Sequence, residues 1–254
     1  MLPLFLALAA ATPAVAQDAG DDWDLGRDPA HNVTIAAVTF ENFGVAVRCM
    51  DEVMSVIVTG APEGRGVRRI GFRINDVDDP ASSWVTGGDG TTLFAVWPTY
   101  VATELRRGGT LALTIPDATG RDRRIVTDIP ASPDAVAQVF QACGRPPPEV
   151  VGNDAASSTD LGKLVWARSP EPSFPSDTEV TRGMAALDCT VEASGRLRSC
   201  RIESEFPEGS GFGRAATLGA HRTGRVKPVD GEVGSMDGRH ISFVVRYFMG
   251  EFDN

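Results

Sequence analysis

Lysine is almost missing from this chain: 2 residues against 22 arginines in 254. Basic charge is short throughout. Residues 17–144 carry 18 acidic and 11 basic side chains, residues 145–254 carry 16 and 13, and the formal net charge is −10. Neither half has a basic footprint wide enough to neutralise a phosphate backbone, so nucleic acid is excluded as an expected partner. An anionic membrane surface is excluded for the same reason. Histidine occurs only 3 times, as His31, His221 and His240. No two of them have the i, i+4 spacing of a helical metal site, and none stands beside an evident nucleophile. No catalytic, metal or cofactor-binding residue is therefore assigned, no cofactor is expected, and the chain is read as a non-enzyme. A hydrolase-type activity in the first half, from a triad assembled only in space, is the remaining enzymatic alternative. Long apolar runs are also missing after the first residues, and a bilayer span needs about 20.

What is present is a core and a leader. Hydrophobic residues make up 42% and charged residues 23%, the balance of a globular protein. The opening "MLPLFLALAAATPAVAQDAG" joins an apolar run to a small-x-small ending, Ala14-Val15-Ala16. That layout predicts a cleavable signal peptide over 1–16 and a mature chain from about Gln17, although no Lys or Arg follows Met1. Export places the 4 cysteines in an oxidising compartment, where an even count favours disulfides. Four cysteines allow three pairings. Chain order suggests Cys49 with Cys143 and Cys189 with Cys200.

The second pair brackets "CTVEASGRLRSC". If Ser194-Gly195 is a two-residue hairpin loop, Cys189 faces Cys200, with strand partners about 4.5–5.5 Å apart, within disulfide reach. Leu187, Cys189 and Val191 would share the core face with Cys200 and Ile202 opposite. A zinc knuckle would need closer cysteines and further ligands, and a redox centre Cys-x-x-Cys. A structural staple is preferred over free thiols or metal. "GSGFG" (209–213) has neither dinucleotide nor P-loop spacing and reads as a helix entry. "NDVDDP" (75–80) reads as a solvated turn, because Pro80 and Gly87 stand where a calcium loop wants ligands.

Residues 143–160, "CGRPPPEVVGNDAASSTD", break the chain with three prolines and small polar residues, which predicts a linker over 145–163. Before it, 17–144 reads as a β-rich exported domain, a sandwich or barrel-like sheet. Strands are expected at 33–40, 44–49, 53–60, 68–74, 110–115 and 123–129. A short helix is expected from Pro98 to Gly109, and a closing helix from Ser132-Pro133 carries Cys143 in its last turn. After the linker, 164–254 reads as an α+β domain, a small antiparallel sheet with one or two helices. Weak helical signals lie at 174–183, strands at 184–191 and 196–205, a helix at 213–224 and a last strand at 240–248.

The second half carries an ordered series: Pro172, Phe174-Pro175, Gly183, Leu187, Val191, Gly195-Arg196, Ile202-Glu203-Ser204-Glu205, Phe212, Ala215-Ala216, Pro228, Asp237-Gly238 and Phe243. Over about 165–250 this series resembles the TonB C-terminal domain, in a cysteine-paired variant of exported proteins from high-GC proteobacteria. The first half resembles, more faintly, exported domains of the invasion-associated locus B type, through Arg48-Cys49 and Cys143-Gly144. The TonB resemblance implies a periplasmic module that can accept an extended peptide by strand addition. The strand that matches is His240, Ile241, Ser242, Phe243, Val244, Val245, Arg246 and Tyr247. The implied function is that of a soluble periplasmic binding or adaptor protein without a stable membrane anchor, whose partner is an envelope protein or peptide, an outer-membrane transporter among them. The alternative is a TonB-family component of outer-membrane transport that works with a membrane partner. The short leader and the lack of a long Pro-rich spacer speak against that alternative.

Overall fold

A computed structural model describes residues 22–75, 77–144, 149–150, 164–176, 178, 180–229 and 235–249. The expected leader, and the linker apart from Glu149–Val150, lie outside the described residues. Among the described residues no helix is long and apolar enough to cross a membrane.

Alternation of apolar and polar residues builds most of the chain. Strands β1 (Asp24–Asp28), β2 (Val33–Phe40), β3 (Phe43–Met50), β4 (Val53–Thr59), β5 (Val67–Ile74), β6 (Val77–Thr86), β7 (Leu93–Ala95), β8 (Gly109–Pro116) and β9 (Asp122–Ile129) form one sheet. Its order is β1-β2-β3-β4-β7-β6-β5-β8-β9, antiparallel at every pairing. The two ends of this sheet approach each other. Trp23, just before β1, donates its indole N–H to the Pro130 carbonyl, just after β9, at 2.8 Å.

Every second residue points inward: Val45, Val47 and Cys49 on β3, Ile70, Phe72 and Ile74 on β5, Leu111, Leu113 and Ile115 on β8. Helices α1 (Pro98–Arg107) and α2 (Ala135–Ala142) close this core with Val101, Leu105, Val136 and Phe140. Pro98 starts α1 and Gly108, at φ 68, ends it. Ser132 is wholly buried and its hydroxyl accepts from the Val136 N–H at 3.1 Å, so it caps the entry to α2.

Three strands of this sheet were not legible in the sequence. β1 is short and polar, β7 is three residues long, and β6 contains the "DDPASS" run that reads as loop. Tertiary pairing holds them: β6 lies between β5 and β7. The turn expected over 75–80 is corrected: only the β5–β6 connection at Asn75 turns, and the chain from Val77 on is strand β6, with Val77, Asp78 and Asp79 paired to β5. Asn75 sits at φ 51 and donates from its amide to the Gly108 carbonyl at 2.8 Å.

The second core is smaller. Strands β10 (Glu149–Val150), β12 (Arg182–Val191), β13 (Leu197–Phe206) and β15 (His240–Phe248) form a sheet ordered β10-β15-β12-β13. A two-stranded pair, β11 (Leu164–Arg168) with β14 (Arg225–Pro228), and helix α3 (Phe212–Thr223) pack on it. The described residues are thus mostly β with three α-helices, in line with the β-rich reading of the sequence. The helical signals at 174–183 are a correction: Phe174 and Pro175 are irregular, and β12 begins at Arg182. Pro175 lacks the backbone N–H that a helix interior needs and stands second in that segment.

Both expected disulfides are present, Cys49–Cys143 with Cα atoms 5.6 Å apart and Cys189–Cys200 with Cα atoms 4.0 Å apart. In the chain-entropy picture the long loop stabilises by about 4–5 kcal/mol and the short one by about 2–3 kcal/mol. The hairpin that carries the second pair differs from expectation. The Gly195 N–H bonds the Glu192 carbonyl at 2.8 Å, so the turn spans Glu192 to Gly195 and Val191 faces Leu197. An irregularity at Ser199, at φ 48, then shifts the register back so that Asp188 faces Arg201. Without that bulge the cysteines would not meet. Ile202 is also corrected, being 42% exposed at the edge of α3 rather than buried.

Candidate functional site

The second sheet leaves β15 with both faces covered. Ile241, Phe243 and Tyr247 point to the α3 side and are at most 4% exposed. Ser242 and Val244 point the other way and are equally buried. Val245 is half-buried, and Arg246 and Phe248 are exposed. One long edge pairs with β12 from Arg182↔Phe248 to Thr190↔His240. The outer edge pairs in parallel with β10 only at Ile241 and Ser242. Past Val244, no strand among the described residues pairs with that outer edge.

A groove of about 480 Å³ runs along this stretch, from Phe243 to Phe248, with Ser169, Pro170, Pro172 and Phe174 as its far wall. The wall is firmly placed. Phe174 meets Phe212 edge-on at 5.3 Å and Tyr247 at 6.0 Å. Pro172 rests against Gly219 of α3, where a Cβ would come within 2.7 Å of the proline Cα. Glu171 receives Arg168 at 2.9 Å, and its own N–H donates to the Thr223 hydroxyl at 2.8 Å. The hydrogen bond from Arg168 also holds the Glu171 carboxyl below its usual range. Pro170 and Pro172 have no backbone N–H, so the wall offers few donors to compete for a strand entering the groove. At the open end Phe248 and Met249 are 58% and 55% exposed, a pair of apolar side chains at the rim.

The opposite face of the same sheet meets the first core through polar groups. The Trp97 indole N–H donates to the Ser242 hydroxyl at 2.7 Å, and that hydroxyl reaches Glu203 at 3.3 Å. Arg201 donates to the Cys143 carbonyl at 3.2 Å. Ser204 donates its hydroxyl to the Val96 carbonyl. Residues on both sides of the expected linker thus share one hydrogen-bonded seam, which no periodicity in the sequence marks.

The other sequence candidates are dispersed. His31 contacts Asp28 at 2.6 Å on the surface, His221 lies 3.5 Å from the Cys200 N–H, and His240 lies 3.4 Å from Asp188. The GSGFG turn is a helix entry, with Gly211 at φ 82 before α3. The Glu205 carboxylate accepts from the Gly213 N–H there at 2.7 Å, so the protein's own acid takes the position an anion would occupy. Comparison with family models, with curated proteins and with solved structures finds no match.

Proposed function

We propose that the protein is a soluble periplasmic binding or adaptor protein whose second, TonB-like domain engages an extended segment of an envelope protein by strand addition to β15. The observation that carries this reading is the outer edge of β15 past Val244, where no described strand pairs with Val245 to Phe248, beside a groove of about 480 Å³. An incoming strand would take its backbone hydrogen bonds from that edge, and its alternate side chains would meet Phe174 on one side and Phe248 on the other. Two disulfides and an export-type leader support the compartment. The linker and the first domain would carry this module, consistent with an adaptor more than with an energy-coupling protein.

The test is capture from an envelope extract followed by backbone amide exchange on the purified complex. The expected result is slowed exchange at the outer-edge amides of Arg246 and Phe248, and loss of capture when Arg246→Pro removes an outer-edge backbone donor while the disulfides still form. Protection confined to any other surface would overturn the proposal.

A further inference from the structure

On the outer face of the first sheet, β5, β8 and β9 hold a trough of about 470 Å³ far from the β15 groove in sequence and on a different sheet. Its floor is small. Gly71 faces Thr114, Thr114 faces Arg124, and Arg73 faces Ala112. Arg69 and Arg73 flank Gly71 two residues away on either side, about 6.5 Å each way along the strand. Arg124 lies two strands over, roughly 9.5 Å from Gly71. The three guanidinium groups therefore ring a depression centred on the Thr114 side chain.

Gly71 keeps that depression open. A Cβ at Gly71 would sit 3.2 Å from the Thr114 Cβ and 3.5 Å from its hydroxyl oxygen. Two carboxylates stand at the corners, Asp78 opposite Arg73 and Asp122 opposite Pro116. In a chain of net charge −10, three arginines converging on one concave surface are a local reversal of sign.

We propose that this trough binds an anionic saccharide, a sugar bearing carboxylate or phosphate groups. Guanidinium forks match carboxylate and phosphate oxygens in paired hydrogen bonds. Asp78 and Asp122 accept from sugar hydroxyls, and the Thr114 hydroxyl can do either. The volume lies in the range of small-ligand sites. The two carboxylates at the rim repel a flat anionic bilayer, which selects a discrete sugar over a membrane surface.

The experiment titrates the full exported protein with a galacturonate trimer, with inorganic phosphate, and with vesicles containing an anionic phospholipid. Amide shifts at Gly71 and Thr114 report the site. Saturable binding of the trimer is expected, weakened about tenfold or more by Arg69→Gln, Arg73→Gln or Arg124→Gln. Gly71→Val, which fills the floor, is expected to abolish it, and Asp122→Asn to weaken the trimer while leaving phosphate unchanged. Arg65→Gln is the control and is expected to change nothing. Arg69, Arg73, Asp122 and Arg124 are exposed side chains, so unchanged unfolding midpoints are expected to accompany the arginine and aspartate variants. Absence of saturable trimer binding, equal weakening by Arg65→Gln, or adsorption to vesicles alone would overturn the assignment.

Discussion

The Glu203 carboxylate, on β13 and only 5% exposed, accepts from the Thr99 backbone N–H at 3.4 Å and from the Thr99 hydroxyl. Thr99 is the second residue of α1, so an acid from the second core caps a helix of the first. A carboxylate there meets the free N–H groups and the positive end of the helix dipole. Glu203→Ala would leave the hydroxyls of Thr99 and Ser242 and the α1 N-terminus without their shared acceptor. A loss of about 1–3 kcal/mol is expected by denaturant unfolding. In a double-mutant cycle with Thr99→Val, a coupling energy of about 0.5 kcal/mol or more is expected. Strict additivity would show that the two residues do not act together.

Reduction should separate the two disulfides by their loop lengths. Cys189→Ser with Cys200→Ser is expected to cost about 2–3 kcal/mol, and Cys49→Ser with Cys143→Ser about 4–5 kcal/mol. Mass spectrometry of the non-reduced exported protein checks the pairing directly. A peptide joining Cys189 to Cys49 or Cys143 would refute it.

Gly183 sits beneath the Phe212 ring, and a Cβ there would lie 2.0 Å from the ring's Cε2. Phe212 is fully buried and packs against the Tyr247 ring at 4.7 Å, the two planes tilted by 42°, so it has little room to withdraw. Gly183→Ala is expected to destabilise by about 1–3 kcal/mol through overpacking. The Tyr247 hydroxyl, which donates to the Phe212 carbonyl at 3.0 Å, should gain exchange rate in the same variant. A neutral substitution would mean that α3 shifts freely.

Asp117 supplies a pH prediction. Hydrogen bonds from the Thr119 hydroxyl and then the Arg121 backbone pull its carboxyl down from 3.8 to about 2. The folded value lies below the unfolded one, so the contribution is full above 3.8 and is lost as the pH falls through about 2. Carboxyl NMR titration should find Asp117 midway near 2, and Thr119→Val should move it up toward 3.8. A wild-type midpoint near 4 would refute the turn geometry.

Much of the fold was legible because the signals are local. The alternation at 44–49, 68–74 and 110–115, the Pro98 start and the glycine stop are consequences of strand period and backbone freedom, and each appears as read. The landmarks at Gly183, Pro172 and Phe174 were legible as positions but not as contacts. Their meaning is the close approach of Gly183 to Phe212 and of Pro172 to Gly219. β6, β7 and the β10 pairing with β15 were not legible, because each is held by neighbours distant in sequence and carries little periodicity of its own.

The run Ile202-Glu203-Ser204-Glu205 marks the division most sharply. Its residues and their alternation are written in the sequence, and alternation alone places Glu203 and Glu205 on one face. The structure breaks that rule between Leu187↔Ile202 and Ala186↔Ser204, where β13 carries one extra residue. The bulge turns Glu203 and Ser204 toward the first core, and Glu205 toward the N-terminus of α3. Composition and pattern therefore determined a β-rich chain with paired cysteines. Only the tertiary register decided that two neighbouring acids would cap helices on opposite sides of one sheet, because a register shift is set by the pairing partner and not by the strand itself.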